Sequence, residues 1–356
     1  MAKPKIKGRS GGATGLFFTN PKKGLEFINS GCEILNCVLA GSGGGWPLGR
    51  ISNVVGDKST GKTLLAIEAM ANFNHQYPDG TMCYAETEAA FDDNYARALG
   101  MDMSHVLRPK VDTVEDLFDD MVEFLAKVGK KGRGLYIVDS LDALSDKAEK
   151  GRGIDAPTYG ASKPKQLGQL FRRLIKPLER SLVHVMIISQ TRDNIGVTFG
   201  EKHTRSGGRA LDFYASQILW LANLGQLKKT IEGITRTVGV QVKSKCKKNK
   251  IDLPFRECSF DILFGYGIDD ITSNLNYLKS VRHQYKIDGR YVDSGGTFRR
   301  LLENAGSKYR AELIGDLNKT VMDVWHQKET KFLPERGKYA ERASYEEQRE
   351  QRGESE

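Results

Sequence analysis

Along this chain of 356 residues the spacing of apolar positions switches repeatedly between strand and helix periods. Ile51-Ser52-Asn53-Val54-Val55 is a short β-rich run. After a glycine-containing turn, Leu64, Ile67 and Ala71 recur at helical spacing with Leu65 beside them, which predicts a helix to about Tyr77. A turn at Pro78-Asp79-Gly80 leads to a strand over Thr81–Ala85 that ends in Glu86-Thr87-Glu88. Asn94 to Leu99 reads as a short helix closed by Gly100. Val114 to Val128 is amphipathic, with Leu117, Met121, Phe124, Leu125 and Val128 on one face. Leu135-Tyr136-Ile137-Val138 is a buried-strand run ending at Asp139-Ser140. Leu167 to Leu182 reads as a helix, and Val183 to Ile188 as a strand ending at Ser189-Gln190. Leu211–Leu221, Thr237–Ser244 and Phe260–Leu263 extend the β-rich series. Alternation of this kind predicts an α/β fold with a mostly parallel central sheet covered on both faces. Beyond about residue 270 a smaller α+β unit follows. In it Tyr285–Val292 reads as a hairpin around Asp288-Gly289, helices start near Phe298 and Ala311, and Trp325 packs inside.

Ligands of open parallel sheets bind beyond the carboxyl ends of the strands, and polar residues stand at those ends here. Gly56-Asp57-Lys58-Ser59-Thr60-Gly61-Lys62-Thr63 is a Walker A phosphate loop, G-x-x-x-x-G-K-[ST], between the first strand and its helix. Its backbone N–H groups and the helix N-terminus face an anion. Lys62 is placed for the β/γ-phosphates and the Thr63 hydroxyl for Mg²⁺. This pattern predicts a bound nucleoside triphosphate. Asp139 ends a second apolar strand, the usual setting of an acid that holds Mg²⁺ through water. Glu86 and Glu88 share a face of an extended strand, so one of them is placed to activate water for γ-phosphate hydrolysis. Gln190 is placed to sense the γ-phosphate.

Composition narrows the partner. The net charge of +9 suits a polyanion. Residues 1–25 carry Lys3, Lys5, Lys7, Arg9, Lys22 and Lys23 with no acid, and a second cluster runs through Lys243, Lys245, Lys247, Lys248 and Lys250. Thr191 to Arg209 holds four glycines, four basic residues and the apolar Ile195, Val197 and Phe199, a composition that suits single-stranded nucleic acid. Glu149 to Lys165 is a second basic, glycine-bearing stretch. No apolar run approaches a membrane span, and the first residues lack the apolar core of a secretory signal. Five scattered cysteines without a CxxC argue for reduced thiols and a cytoplasmic setting, against zinc and disulfides.

Several motifs in order resemble the bacterial RecA recombinases. These are Gly49-Arg50-Ile51 with the phosphate loop, Ala85-Glu86-Thr87-Glu88-Ala89, Tyr95-Ala96-Arg97-Ala98-Leu99-Gly100 and Val138-Asp139-Ser140-Leu141. Ile195-Gly196-Val197-Thr198-Phe199-Gly200, Ala210 to Ser216 and Lys248-Asn249-Lys250-Ile251 continue the match, which is collinear from about Gly31 to Asp270. The resemblance implies a RecA-like P-loop core and an ATP- and Mg²⁺-dependent ATPase. Such a protein forms a helical filament on single-stranded DNA, pairs it with homologous duplex DNA and exchanges strands. It implies Glu88 as the water-activating base, Gln190 as the γ-phosphate sensor, and Asp92, Tyr95 and Phe264 at adenine. Lys248 and Lys250 fall where the family reaches a neighbour's ATP. Arg172, Arg192, Ile195, Phe199, Gly207 and Gly208 fall on DNA-contacting positions.

The divisions expected are 1–29, a basic segment and candidate protomer-docking arm; 30–270, the ATPase core with two DNA loops; 271–332, the small C-terminal domain; and 333–356, a charged, disordered tail. Glu86 replaces the family's usual Asp, Asp193 and Asn194 make the second DNA loop less basic, and 1–25 has no clear counterpart of the family's N-terminal helix. These departures suit a divergent, bacteriophage-encoded member working in the host cytoplasm. Single-strand-binding and loader proteins are its expected accessories, and no membrane partner is expected. The rival readings are a ring helicase or repair ATPase of the RadA type on the same core, and a mediator that binds ATP without hydrolysis. The absence of CxxC pairs argues against the RadA type, and the joint presence of Lys62, Glu88, Asp139 and Gln190 against the mediator.

Overall fold

The computed structural model describes residues 24–41, 44–87, 91–145, 147, 162–193, 203–205 and 208–334. A short ribbon, β1 (Phe27–Ile28) with β2 (Trp46–Pro47), brackets helix α1 (Glu33–Ala40). The chain then runs through β3 (Ile51–Gly56), α2 (Lys62–Gln76), β4 (Thr81–Glu86), α3 (Asp93–Ala98), β5 (Val106–Leu107) and α4 (Val114–Val128). Next come β6 (Arg133–Asp139), α5 (Ser162–Glu179), β7 (Leu182–Asp193), β8 (His203–Arg205) and α6 (Gly208–Tyr214). Strands β9 (Gln217–Ile231), β10 (Ile234–Asn249), β11 (Glu257–Leu263) and β12 (Gly267–Asp269) complete the larger unit. The remainder holds α7 (Asp270–Ser280), a hairpin of β13 (Lys286–Ile287) and β14 (Arg290–Tyr291), α8 (Gly295–Glu303) and α9 (Ser307–Thr330).

The main sheet has the order β12-β11-β10-β9-β3-β7-β6-β4-β5, with β8 on β7. From β9 to β5 every pairing along this path is parallel, and from β9 to β12 every pairing is antiparallel. Strand β3 is central and all six of its residues are buried. Its apolar Ile51, Val54 and Val55 therefore show no strand alternation, and its buried polar members are satisfied, Ser52 Oγ donating to Gln217 Oε1 at 2.7 Å and Asn53 Nδ2 to Ile187 O at 2.8 Å. Helix α4 shows how local sequence sets an element. Thr113 Oγ1 accepts from Asp116 N and Asp116 Oδ2 accepts from Thr113 N, each at 3.1 Å, a reciprocal cap on the first turn. Leu117, Met121, Phe124 and Val128 are then buried against the sheet.

One apolar layer joins α2, α1 and the sheet to the C-terminal helices, with Trp325 inside it and 5.8 Å from the ring of Tyr277. The other layer lies between the sheet and α4 and α5, through Phe124, Tyr136, Phe171 and Leu174. Among the described residues no helix is long and apolar enough to cross a membrane.

The structure departs from the sequence reading in three places. Leu211–Leu221 is not one strand, because 208–214 is helix α6 and β9 begins at Gln217. A short apolar run does not distinguish the two periods by itself, and packing decides: Leu211 is buried and the Tyr214 ring meets Phe171 at 6.1 Å. The strand expected over 237–244 is the middle of a 16-residue β10 that pairs with β9. Their turn is Glu232-Gly233, with φ of 52° and 79°, the left-handed pair that a two-residue hairpin requires. The basic segment 191–209 is not all loop. Thr191, Arg192 and Asp193 pair antiparallel with Arg205, Thr204 and His203, so it leaves the sheet on a ribbon stem.

Candidate active site

The phosphate loop sits where β3 gives way to α2. Gly61 has φ of 82°, a left-handed turn that only glycine adopts without strain, and α2 opens on it with no side-chain acceptor for its first amides. The loop is tied by Thr60 Oγ1, which donates to Asp57 O at 2.8 Å, and by Lys62 Nζ, which donates to the same carbonyl at 2.7 Å. Lys62 is buried and its ammonium lies folded over the loop. Gly56, Asp57, Lys58, Ser59, Thr60, Gly61, Lys62 and Thr63 thus form one continuous cradle around the start of a helix.

Parallel register brings the other polar strand ends beside it. Gly56 is opposite Gln190, and Glu86 is opposite Asp139. Asp139 is 2% exposed, and its Oδ2 accepts from Thr63 Oγ1 at 2.7 Å and from Tyr84 Oη at 2.6 Å. Glu86 Oε1 accepts from Phe91 N at 2.9 Å, so this carboxylate ties the end of β4 to the residue just before the Asp92 cap of α3. Gln190 N donates to Asp142 Oδ2 at 2.9 Å.

A second wall stands beside α2. Asp92 caps α3, its Oδ1 accepting from Asn94 N at 2.9 Å and Tyr95 N at 3.1 Å. Tyr95 Oη donates to Glu68 Oε1 at 3.4 Å, and Ile268 N donates to the same oxygen at 2.9 Å. Burial pushes the Glu68 carboxyl up to about 7. A Cβ on Gly267 would lie 2.1 Å from Glu68 Oε1 and 2.9 Å from Tyr95 Oη, so glycine is needed there for the strand to approach. Phe264, three residues earlier in the same turn, is 61% exposed.

Lys248 and Lys250 lie elsewhere. Lys248 Nζ donates to the carbonyls of Asp212 and Phe213, the latter at 3.1 Å, and Lys250 Nζ donates to Phe213 O at 3.0 Å. Asn249 between them pairs with Gln217, which pairs with Ser52 at the start of β3. They therefore sit at the end of the sheet opposite their own phosphate loop. The basic run around them is not one free patch. Lys243 and Lys245 flank Glu257 at 2.7 and 3.3 Å, and Lys247 lies 3.6 Å from the Trp220 ring centroid.

Arg172 is exposed on α5, Arg192 lies on the β7–β8 stem, and Gly208 opens α6. Glu88, Ile195, Phe199 and Gly207 lie outside the described residues. The sequence reading missed Tyr84, Glu68 and Asp142. The signal for the first two was there: a tyrosine inside a buried strand needs a partner for its hydroxyl, and one acid interrupts the apolar run of α2.

The family of the RecA N-terminal domain matches residues 9–269. Protein RecA of Acholeplasma laidlawii is 32% identical over 304 residues, which cover 83% of this chain and 87% of the relative. Protein RecA of Rippkaea orientalis is 33% identical over 280 residues, 76% of either chain. Protein RecA of Acinetobacter baylyi is 33% identical over 293 residues, 80% of either chain. A phosphate loop in register with its acidic strand end, on a sheet whose matched span covers most of the chain, leaves one assignment: the chain belongs to the RecA family of DNA-dependent ATPases, the recombinases that exchange DNA strands.

Proposed function

We propose that this chain binds ATP with Mg²⁺ in the cradle of residues 56–63 and hydrolyses it while assembled as a helical filament on single-stranded DNA. What carries this reading is the convergence of Lys62, Thr63 and Asp139 at the carboxyl ends of β3 and β6, the two strands that flank β7, with the Thr63–Asp139 contact at 2.7 Å. Among the described residues no three His, Cys, Asp or Glu side chains gather as a metal cage. That suits Mg²⁺, which takes oxygen ligands from one or two side chains, water and the phosphates themselves. The Thr63 hydroxyl and the Asp139 carboxylate would hold it, and it would neutralise charge developing between the β- and γ-phosphates. Lys62 would exchange its bond to Asp57 O for a phosphate oxygen.

Glu88 is the proposed base. Glu86 is already committed to Phe91 N, which favours its neighbour for activating water. Gln190 would read the γ-phosphate from the next strand, and Asp92, Tyr95 and Phe264 would border adenine beside the wall built on Glu68. Arg172, Arg192, Ile195, Phe199, Gly207 and Gly208 would face the DNA. Lys248 and Lys250 would complete the site of the adjoining protomer. The segment 1–29 would dock protomers, 271–332 would form a small domain, and 333–356 would stay solvated. Single-strand-binding and loader proteins would be accessories, and a bacteriophage-encoded protein in its host's cytoplasm fits the departures from the family pattern.

ATP hydrolysis measured with and without single-stranded DNA, with electron microscopy of the same samples, tests the reading. DNA-stimulated hydrolysis with filaments is expected, and Lys62→Ala should abolish turnover in a folded protein. Hydrolysis unaffected by DNA, or undiminished in Lys62→Ala, would overturn it.

A further inference from the structure

Tyr84 stands behind the metal-facing carboxylate without belonging to any phosphate-binding motif. It lies within β4, 1% exposed, and its hydroxyl meets Asp139 Oδ2 at 2.6 Å. Thr63 Oγ1 reaches the same oxygen at 2.7 Å. One carboxylate oxygen therefore receives a donor from the phosphate-loop helix and another from an adjacent strand. The phenol is itself held. Phe91 packs edge-on to its ring at 4.4 Å between centroids, and Arg108 covers Phe91 at 4.5 Å. Phe91 N donates to Glu86 Oε1, so the same packing reaches Glu86 at the end of β4. A phenylalanine would fill the ring's place and remove the hydrogen bond to Asp139.

We propose that Tyr84 is a positioning residue for the metal site, its hydroxyl holding the Asp139 carboxylate turned toward Thr63 so that a divalent cation meets a pre-set pair of oxygens. This rests on the nucleotide reading above. Mg²⁺ demands near-octahedral geometry and gives up water reluctantly, so a carboxylate left free to turn loses metal affinity before it loses the nucleotide. Groups that orient a ligand from behind typically change metal affinity by roughly 10- to 100-fold when removed.

The test uses the full chain, a fluorescent slowly hydrolysed ATP analogue and a Mg²⁺ titration, with thermal midpoints recorded alongside. Tyr84→Phe keeps the ring. Tyr136→Phe is its matched control, because Tyr136 Oη donates to Asp120 Oδ1 at 2.6 Å from the opposite layer of the core. Tyr84→Phe should raise the Mg²⁺ needed for half-maximal analogue binding about 10-fold, leave Mg²⁺-free binding unchanged, and recover to within about twofold of normal turnover in excess Mg²⁺. Tyr136→Phe should keep the wild-type Mg²⁺ midpoint at a comparable loss of thermal stability. A wild-type midpoint in Tyr84→Phe, or an equal shift in both variants, would overturn the proposal. Wild-type protein that binds the analogue with no dependence on Mg²⁺ would remove the metal site and this proposal while leaving nucleotide binding in place, whereas no analogue binding at all would overturn the nucleotide reading.

Discussion

Gln190 and Gly56 are register partners on the parallel strands β7 and β3, and the Gln190 amide donates to Asp142 Oδ2 at 2.9 Å. The strand that runs on into the basic segment is thus tied to the phosphate loop on one side and to the turn after Asp139 on the other. A group at the γ-phosphate position would pull on the root of that segment through a single strand end. Gln190→Ala should bind ATP within about threefold of normal while the ratio of single-strand affinities in ATP and ADP falls toward one. Couplings of this kind are typically worth about 1–3 kcal/mol, or roughly 5- to 150-fold. Fluorescence anisotropy with each nucleotide measures the ratio, and an unchanged ratio would exclude Gln190 as the link.

Glu68 gives a pH dependence with a definite sign. Its carboxyl titrates near 4.5 in an unfolded chain and is pushed up by burial to about 7 in the fold. The folded state keeps the proton longer, so the contribution to stability is present at acid pH and lost as pH rises from about 4.5 through about 7. A shift of that size corresponds to about 3 kcal/mol. Glu68→Gln should therefore gain on the wild type with rising pH, with little difference at pH 5 and an advantage of about 3 kcal/mol at pH 8. Urea unfolding at both pH values reads it, and a constant difference would mean the carboxyl titrates normally.

The strands β3, β4, β6 and β7 were legible because they are buried on both faces and carry mostly apolar residues, with glycine or acids marking their ends, whereas β5 is two half-buried residues that leave no periodic signal. The phosphate loop was legible because it demands a fixed pattern at a fixed junction. Strands β9 and β10 were harder. Half of each projects beyond the core, so their outer positions, from Leu224 to Thr237, are mostly exposed and show no buried face to alternate against. For Tyr84 and Glu68 the need for a partner was readable but the partner was not: Asp139 and Ile268 are 55 and 200 residues away. Pairings at that separation follow from sheet order, which local periodicity does not encode. Lys248 and Lys250 carry the family's motif, but only the register shows which end of the sheet they occupy.

Trp325 tests whether the C-terminal helices are an independent unit. Its ring is buried against Tyr277, in the same apolar cluster as Leu39, Phe260 and Leu275. Trp325→Ala should cost about 3–5 kcal/mol, the usual range for truncating a buried aromatic. Because the cluster is continuous, the wild type should unfold in one transition by far-UV circular dichroism and by hydrogen exchange. If α9 exchanges early while β3 and β6 stay protected, the boundary near residue 271 separates two independently stable domains.

The lysines at the far end of the sheet give the sharpest test of assembly. Ser52, opposite Gln217, lies four residues before Gly56, which is roughly 13 Å along the strand. Lys248 and Lys250 donate to carbonyls at the end of α6, where the helix dipole also favours cations. Held there, they do not reach the phosphates of their own chain. A head-to-tail filament would instead set this end of one protomer against the cradle of the next. Lys248→Ala/Lys250→Ala protein keeps an intact cradle, and Lys62→Ala protein keeps intact lysines. Each alone should lack DNA-stimulated hydrolysis. Mixed in equal amounts at random, about a quarter of interfaces would join the intact cradle of one to the intact lysines of the other. Steady-state hydrolysis on single-stranded DNA should then recover with mixing and peak near equal ratio. No recovery at any ratio, with both variants still filamentous under the microscope, would place these lysines outside the catalytic site altogether.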